Sequence, residues 1–376
     1  MMADDYSTFI TSQRASVVVG GQFGSEAKGL VASYIANRIA DSSMEGMFWS
    51  VTNAGAQAGH TTVLADGTKF VCYHLPTAGV LLEQALIYLN AGSIIDMVLL
   101  RNEVRDVAKA LRRPPGSIWS RLTINPYATV ITEGAKEIEA NGATAHLGST
   151  QKGVGAALAS KIMRNPDVVF GAHADEFIKH IEGKPPRIND PYMHNQTILL
   201  EIPQGTGLSL NSSGFYPKTT SRECWVGQGL TDAGLHPIML GTVNMVMRTY
   251  PIRVGHIYKD GVTVGDSGPF YADGPEIPWT LLPGIEPERT TVTNRLRRIA
   301  RWSSQQYRHG LRMNRPDNVF LTFTNYCTEN ELKDIVRSMR EDEQILGMRV
   351  RHWYSWGPRT DQVSTSFGDA RASCRG

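Results

Sequence analysis

Glycine, lysine and small polar residues are concentrated in Val17–Gly29, which reads VVVGGQFGSEAKG. A β-branched run ends in a loop that contains four glycines and Lys28, just before a helix-like stretch. Such a loop lets backbone N–H groups approach a phosphate, and the lysine adds positive charge. The segment fits neither G-x-x-x-x-G-K-[ST] nor G-x-G-x-x-G. A structural turn alone would explain one or two glycines, so the pattern favours phosphate binding.

A second run of small residues, Asn53–Thr62, reads NAGAQAGHTT and contains one histidine, His60. Gly59 and Thr61 flank this histidine inside a glycine-rich loop. A lone histidine is more often a hydrogen-bonded structural residue than a catalyst. An imidazole in a loop of this kind could instead act as an acid or contact a phosphate. Both interpretations stay open at this stage.

These loops need strands and helices to position them, and the chain alternates between the two patterns. We expect buried strands at 16–20, 85–90, 197–202, 319–323 and 348–353, and helices at about 29–40, 94–111, 132–140, 237–249 and 329–341. Continuous apolar strands separated by helices are typical of an α/β fold with a mostly parallel sheet covered on both faces. Asp260-Gly261 suits a type I′ turn, so Tyr258–Val264 is expected to be a small antiparallel hairpin.

The chain has 376 residues and shows no repeat or low-complexity linker at which to divide it. We therefore expect one catalytic domain at 15–363, preceded by a flexible arm at 1–14 and followed by a tail at 364–376.

Composition excludes several classes of protein. The net charge is +2 and hydrophobic residues make up 41%, which argues against disorder and against a nucleic-acid-coating protein. No stretch has the roughly 18 apolar residues of a membrane helix, and the acidic, polar start is not a secretory signal. The four cysteines lie far apart without a CxxC pair, so we expect reduced thiols rather than a disulfide or zinc scaffold. A cytoplasmic protein is expected.

The two loops together resemble the adenylosuccinate synthetase family, whose signature is close to G-x-Q-W-G-D-E-G-K-G followed by G-x-N-A-G-H-T. Five further segments resemble motifs of the family and occur in the same order along the chain. They are GSTQKGVG at 148–155, PQGT at 203–206, YPKTTS at 216–221, TNRLRR at 293–298 and SWGP at 355–358. The resemblance implies a P-loop-like fold with a large, mostly parallel central sheet flanked by helices.

The resemblance also implies a reaction. Enzymes of the family phosphorylate the 6-oxygen of a purine nucleotide and then displace that phosphate with the amine of aspartate. On this basis Lys28 would hold donor phosphates, His60 would stabilise or protonate the phosphoryl group, and Gln204 would hydrogen-bond the activated 6-position. Mg²⁺ would lie between the side chain of Ser25 and the carbonyl of Gly59, offsetting developing charge.

The same carry-over assigns the binding residues. The nucleoside triphosphate donor would contact Gly24, Ser25, Glu26, Ala27, Lys28, Gly29, Gly59, His60, Thr61, Arg297, Phe323, Asn325, Ser355, Gly357 and Pro358. The acceptor nucleotide would contact Ser25, Gln57, Ala58, Ser149, Thr150, Arg164, Gln204, Thr220 and Arg295. Aspartate would contact Thr291, Val292, Thr293, Arg295 and Arg297. An extra residue before Trp302 leaves the register of 291–301 open by one. The family also implies a homodimer, with Arg164 reaching in from the second subunit.

Ser25 departs from the family, which has an aspartate there as the base for the purine N1 proton. A hydroxyl is a far weaker base than a carboxylate. One interpretation is a dead enzyme that retains nucleotide binding, but the surrounding motifs are intact. The other is a changed acceptor, because a shorter side chain leaves room for the 2-amino group of a guanine. The same replacement marks a phage-type branch of the family that acts on dGMP. Either Ser25 or a water that it orients would then take the N1 proton.

A second departure concerns the donor base. The family reads guanine through L-T-K-x-D, whereas this chain has LTFTNY, with Phe323 and Asn325 at the two reading positions. A carboxylate only accepts hydrogen bonds, as guanine requires; Asn offers one donor and one acceptor, which matches adenine. Phe323 could stack on the base. Asn325 could also be an ordinary loop residue. The sequence thus favours ATP or dATP, dGMP and L-aspartate as substrates, against IMP with GTP.

Overall fold

The computed structural model describes residues 6–42, 47–144, 146–173, 178–179, 181, 184–290 and 294–375. The strands are β1 Ala15–Gly20, β2 Phe48–Thr52, β3 His60–Val63, β4 Lys69–Cys72, β5 Leu86–Leu89, β6 Ile94–Ile95, β7 Leu122–Ile124, β8 Thr129–Val130, β9 Arg187–Ile188, β10 Thr197–Glu201, β11 Leu240–Arg248, β12 Ile252–Arg253, β13 Ile257–Lys259, β14 Val262–Gly265, β15 Glu276–Ile277, β16 Arg298–Ala300, β17 Asn318–Thr322, β18 Arg351–Ser355 and β19 Val363–Ser364. The helices are α1 Lys28–Ala40, α2 Thr77–Leu81, α3 Met97–Ala110, α4 Gly116–Trp119, α5 Glu133–Ile138, α6 Val154–Ile162, α7 Val226–Asp232, α8 Ser304–Asn314, α9 Glu329–Ile345 and α10 Phe367–Ala372.

One ten-stranded sheet organises the chain, in the order β19-β18-β17-β11-β1-β10-β2-β5-β7-β9. Its pairings are parallel except for β18 with β19 at one edge. Three small separate sheets, β12-β16-β15, β13-β14 and β3-β4, are antiparallel, and the β6-β8 pair is parallel. The expected α/β class with a mostly parallel sheet is confirmed.

Strand β1 shows why the central strands read as continuous apolar runs. All six of its residues are buried. Val17 and Val19 pack into one hydrophobic cluster, and Val18 packs into another with residues of α1. Successive side chains of a strand point to opposite faces, so a strand covered on both sides must be apolar throughout.

The expected helix at 237–249 is wrong. Pro237–Met239 form a short 3₁₀ turn, and Leu240–Arg248 form β11, which lies directly beside β1. The segment is buried on both faces from Val243 to Arg248, and Asn244 and Arg248 interrupt its apolar pattern. Its periodicity therefore does not distinguish a buried strand from a helix. Ile94–Ile95 likewise pair as a short strand rather than opening α3, and the strand expected at 348–353 lies at Arg351–Ser355.

The hairpin expected at Tyr258–Val264 is confirmed. Strands β13 and β14 pair antiparallel around Asp260 and Gly261. Both turn residues have positive φ, 51° and 78°, as a type I′ turn requires.

The ends of the chain differ from expectation. Tyr6–Thr8 form a 3₁₀ turn, and Phe9 and Ile10 are 0% and 1% exposed. Phe9 packs against Tyr34 and Trp353, with ring centroids 5.7 and 4.8 Å apart. Residues 6–14 are therefore not a flexible arm, because their apolar side chains complete the core beside α1.

The C-terminal residues are also attached to the body of the protein. Helix α10 buries Ala370 completely, and the ring of Phe367 contacts Tyr354. Arg375 donates to the carbonyl of Tyr326 at 2.7 Å and pairs with Glu331 at 2.9 Å. The loose tail expected at 364–376 is thus wrong for the residues up to 375.

Four cysteines are free thiols, three of them buried. Among the described residues, no helix combines the length and the apolar character needed to cross a bilayer.

Replacing Phe9 by Ala is expected to destabilise the protein by about 3–5 kcal/mol, since it leaves a cavity among aromatic rings. Urea unfolding followed by fluorescence measures this change. Ser12→Ala, at an exposed position of the same segment, should change stability by less than about 0.5 kcal/mol. Equal stability of the two variants would show that the segment is a loose arm after all.

Candidate active site

A cavity lies at the carboxyl ends of the central strands, where open α/β sheets bind their ligands. It brings together residues that the sequence places more than a hundred positions apart. The predicted site residues that line it are Gly24, Ser25, Lys28, Gln57, Ala58, Gly59, His60, Ser149, Thr150, Gln204, Thr220 and Arg297.

The loop between β1 and α1 is organised by Glu26, which is fully buried. Its carboxylate accepts from the backbone N–H groups of Gln22 and Gly24 at 3.1 and 2.7 Å. Its second oxygen pairs with the ammonium of Lys28 at 2.7 Å. The sequence predicts Glu26 as a contact of the nucleoside triphosphate. In the structure its carboxylate binds backbone N–H groups of its own loop and holds Lys28 at the start of α1.

This loop has two backbone features, a close contact at Gly29 and positive φ angles at Ser25 and Ala27. A Cβ on Gly29 would lie 2.6 Å from the carbonyl oxygen of Thr61, so only glycine lets the His60 loop pack here. Ser25 has φ 59° and Ala27 has φ 70°. The side chain of Ser25 is exposed to the cavity, and its carbonyl accepts from Arg248 at 3.2 Å. Ser25 is therefore held by its backbone while its hydroxyl stays accessible.

His60 faces a carboxylate on one side. Its Nδ1 lies 3.7 Å from Oε2 of Glu201, a residue 1% exposed at the end of β10. Oε1 of Glu201 accepts from the backbone N–H of Ala78 at 2.9 Å. Nε2 of His60 is buried and has no partner among the described residues. Nδ1 thus faces the carboxylate, and Nε2 is the ring nitrogen that is open to a ligand.

Two glutamine amides line the cavity. Both polar atoms of the Gln57 side chain are buried without a partner in the part of the chain that the structure describes, and a buried amide needs hydrogen bonds. Gln204 has φ 64°, and its Oε1 accepts from the thiol of Cys224 at 3.3 Å. Gln57 thus fits a polar ligand that supplies both donors and acceptors.

The loop at 148–155 precedes α6. Buried Glu139 accepts from the backbone N–H groups of Gly153 and Gly155 at 2.8 and 2.7 Å, which caps the start of that helix. Arg295 donates to the carbonyl oxygens of Gly148 and Ser149, both at 3.1 Å. Arg295 lies outside the cavity lining. It links its own segment, here called the arginine loop (288–290 and 294–297), to the loop of Ser149 and Thr150.

A buried ion cluster closes the cavity on the side of Arg297. Glu288 pairs with Arg248 and, at 3.1 Å, with Arg297; Tyr326 donates to it at 3.0 Å. Burial opposes ionisation of Glu288, but the guanidinium of Arg248 and then that of Arg297 outweigh it and hold the pKa of the carboxyl below its ordinary value. Burial lowers the pKa of Arg297, and Glu288 opposes this shift.

The predicted donor-base residues lie at the ends of β17 and β18, beyond the cavity lining. The hydroxyl of Thr324 donates to the carbonyl of Ser355 at 3.2 Å, which joins the turn of Asn325 to the segment 355–358. One face of the Phe323 ring is covered by the Arg248 guanidinium, 3.9 Å from its centroid. A base therefore cannot stack on that face of Phe323. The sequence prediction treats the ring as free for stacking.

Several residues predicted to bind substrates do not line the cavity or lie outside the described residues. Arg164 is exposed after the end of α6 and does not line the cavity of its own chain. Thr291, Val292 and Thr293 lie outside the described residues. Glu26, Ala27, Gly29 and Thr61 support the loops rather than lining the cavity.

The structure also adds charged lining residues that the predictions did not include, among them Lys218 and Arg253. Lys218 pairs with Asp266 at 3.6 Å. Arg253 stacks on Phe23 at 4.3 Å, and burial lowers its pKa to about 9. Lys218 belongs to the motif YPKTTS, whereas Arg253 ends the two-residue strand β12 and has no local signature.

The family model for adenylosuccinate synthetase matches residues 17–179 and 168–346. The chain belongs to the adenylosuccinate synthetase family. It is 35% identical over 373 residues to the N6-succino-2-amino-2'-deoxyadenylate synthase of Salmonella phage PMBT28, covering 94% of this chain and 98% of the relative. It is 32% identical to the enzyme of the same description from Acinetobacter phage SH-Ab 15497, covering 94% of each.

A solved structure is similar over nearly the whole length of this family member. The succinoaminodeoxyadenylate synthetase of cyanophage S-2L, bound to dGMP and to dATP as an energy donor, has a TM-score of 0.80 and 29% identity. The alignment covers 96% of this chain and 99% of that one.

The Glu288 cluster predicts a pH dependence of stability. A carboxyl whose folded pKa is depressed stabilises the fold above its unfolded pKa of about 4.3, and this contribution is lost as the pH falls through the folded value. Glu288→Gln should therefore cost about 3 kcal/mol at pH 7, because two buried arginines lose their counter-charge. The difference in the free energy of unfolding between wild type and variant should shrink as the pH falls below about 4.3.

Urea unfolding between pH 3 and 7 measures this. The matched control is Glu286→Gln, two residues away and exposed. A Glu288→Gln variant with the same deficit at every pH would contradict the assignment of the charge.

Proposed function

We propose that this chain is a ligase that condenses dGMP with L-aspartate, using ATP or dATP, to form N6-succino-2-amino-2'-deoxyadenylate, the nucleoside diphosphate and phosphate. The observation that carries the proposal is Ser25, a small hydroxyl exposed in a cavity that also holds Lys28, His60 and Gln204. The phage relatives of that description support it.

The sheet order supports an assignment of the substrates to different strands. Residues proposed for the donor base follow β17 and β18, the phosphate loop follows β1, and Gln57 and Gln204 follow β2 and β10. Neighbouring strands are about 4.8 Å apart, so β18 and β1 are separated by about 14 Å. Donor base, phosphates and acceptor would thus lie in this order along one edge of the sheet.

In the first step O6 of dGMP attacks the γ-phosphorus, the bond to the diphosphate breaks, and the N1 proton leaves. Lys28 would neutralise the donor phosphates, and His60 Nε2 would donate to the phosphoryl group in transit. The Gln204 amide would hydrogen-bond O6. Ser25, or a water that it orients, would take the N1 proton.

In the second step the α-amine of aspartate attacks C6 and phosphate leaves with the former O6. Arg297, and Arg295 through the loop that it ties down, would bind the aspartate carboxylates, with Thr291, Val292 and Thr293 completing that site. An amine proton is lost as the C–N bond forms. The chemistry needs exclusion of water more than a strong base, because the phosphorylated oxygen is a good leaving group.

Mg²⁺ fits the residues present. The described residues hold no cluster of three or more His, Cys, Asp or Glu side chains for a metal. Ser25 and Gly59 both line the cavity, and a hydroxyl and a backbone carbonyl are hard oxygen ligands. Mg²⁺ prefers such oxygens together with substrate phosphates, and when bound it would offset charge on the donor.

We further propose a homodimer. Arg164 is exposed beside Ile162 and Met163, which are 72% and 79% exposed. A guanidinium that does not reach the cavity of its own chain can reach an acceptor phosphate in a second copy, with the apolar pair at the contact. The expected place of action is the cytoplasm, which in an infected cell is that of the host.

Phosphate release tests the proposed function. The chain with dGMP, ATP, L-aspartate and Mg²⁺ should release phosphate only when all three substrates are present, and faster than with IMP and GTP. Ser25→Asp should lower turnover of dGMP about tenfold or more, a cost of about 1.4 kcal/mol, and raise the relative use of IMP. Aspartate tolerates the positive φ at this position.

Ser12→Asp is the matched control on an exposed surface. Preference for IMP with GTP in the wild type would identify an ordinary adenylosuccinate synthetase, and tight dGMP binding without aspartate-dependent phosphate release would identify a non-catalytic binding protein. A Ser25→Ala variant with full turnover would remove this hydroxyl from the mechanism.

Asn325→Asp tests the donor base. Replacing the donor-acceptor pair of the amide by an acceptor-only carboxylate should shift the ratio of kcat/KM for ATP over GTP towards GTP by about 1–3 kcal/mol, as for base-edge readout. Steady-state assays at saturating dGMP and aspartate measure the ratio. Asn330→Asp, exposed in α9, is the control, and an unchanged ratio in Asn325→Asp would assign Asn325 to the loop alone.

A further inference from the structure

The side-chain amide of Gln204 can face the acceptor in two ways, and its neighbours distinguish them. Oε1 of Gln204 accepts from Sγ of Cys224 at 3.3 Å, while the residue lines the cavity. With the oxygen turned towards Cys224, the NH₂ group is the end of the amide that is available to a ligand. The two ends differ in chemistry, because one donates and the other accepts.

We propose that Cys224 is a positioning residue: its thiol fixes the Gln204 amide with NH₂ towards the 6-position of the acceptor, so that the site selects a 6-oxo purine over a 6-amino purine. This inference rests on the proposed function and adds the origin of one part of its specificity.

The position of the thiol is well defined. Cys224 is 1% exposed. Its backbone N–H donates to Ser209 Oγ at 3.0 Å, and its carbonyl accepts from Thr206 Oγ1 at 3.3 Å. Among the described residues the thiol has one competing acceptor, the carbonyl of Arg222 at 3.8 Å, which is farther than Gln204. The sulfur is therefore held by the backbone and not by its own side-chain contact.

The thiol acts as a donor. Burial, the largest influence, raises its pKa to about 12, so it stays protonated at neutral pH. A thiol is a weak donor and a still weaker acceptor. Reversing the amide would exchange an S–H···O contact for an N–H facing sulfur, and would turn a carbonyl oxygen towards the cavity.

The consequence appears at the acceptor. O6 of guanine has only lone pairs, so an NH₂ group binds it and an amide oxygen would repel it. A 6-amino group, as in 2-amino-dAMP, has the opposite requirement. This nucleotide shares the 2-amino group and sugar of dGMP. The two also differ at N1, where guanine carries a proton and the diaminopurine a lone pair, so Ser25 contributes to the preference of the wild type. The change in that preference on substitution of Cys224 is therefore what reports on the amide.

Binding of the two nucleotides to Cys224 variants tests the proposal. Isothermal titration calorimetry on the full chain gives the dissociation constants of dGMP and of 2-amino-dAMP. The wild type should prefer dGMP. Cys224→Val removes the donor at similar volume and should lower that preference at least fivefold, because the amide can then turn. Cys224→Ser keeps a donor and should retain the preference within twofold, together with kcat for dGMP.

Cys327→Val, which also removes a buried thiol, should leave the preference unchanged. A merely structural role of Cys224 would weaken both nucleotides in parallel, and an unchanged ratio in Cys224→Val would overturn the inference while leaving the ligase reaction standing. Failure of the wild type to bind dGMP would overturn both. If the valine variant does not fold, Cys224→Ala supplies the same comparison.

Discussion

The buried carboxylate of Glu26 is the interaction on which the site depends. It accepts hydrogen bonds from two backbone N–H groups and pairs with the ammonium of Lys28. These contacts hold the glycine-rich loop in one conformation. A buried carboxylate without these partners would be costly, which makes the loop and its lysine mutually dependent. Strand β17, on the far side of β11 from β1, supports the same arrangement, because Thr322 Oγ1 donates to the Glu26 carbonyl at 2.9 Å.

The parallel sheet converts this local order into a binding site. Strands β1, β2, β10, β11, β17 and β18 are consecutive across the sheet and all end at the same edge. Each contributes one loop, and the buried pair of Arg248 with Glu288 links the loop after β1 to the arginine loop. Substrate positioning is thus distributed over rigid strand ends, as preorganised sites require.

Sequence reasoning recovers the parts of the molecule that carry a local signature. The glycines and Lys28, the Asp260-Gly261 turn and the motif at 203–206 were found because each needs particular residue types at fixed spacing. Contacts between distant segments were not. Nothing local marks Glu201 as the neighbour of His60, or Arg248 as the cover of Phe323. The identity of β11 and the burial of Phe9 were missed for a related reason, since an apolar segment reveals its conformation only through the partners that it packs against.

The backbone at Ser25 has a consequence for how acceptor choice can change over evolution. With φ at 59°, the position disfavours β-branched and bulky side chains and admits Gly, Asn, Asp and other small polar residues. Under the proposed role of Ser25, a change of acceptor would therefore have to use one of a few residue types at this position. Serine and aspartate both tolerate this φ, so one can replace the other here without any change in the course of the main chain.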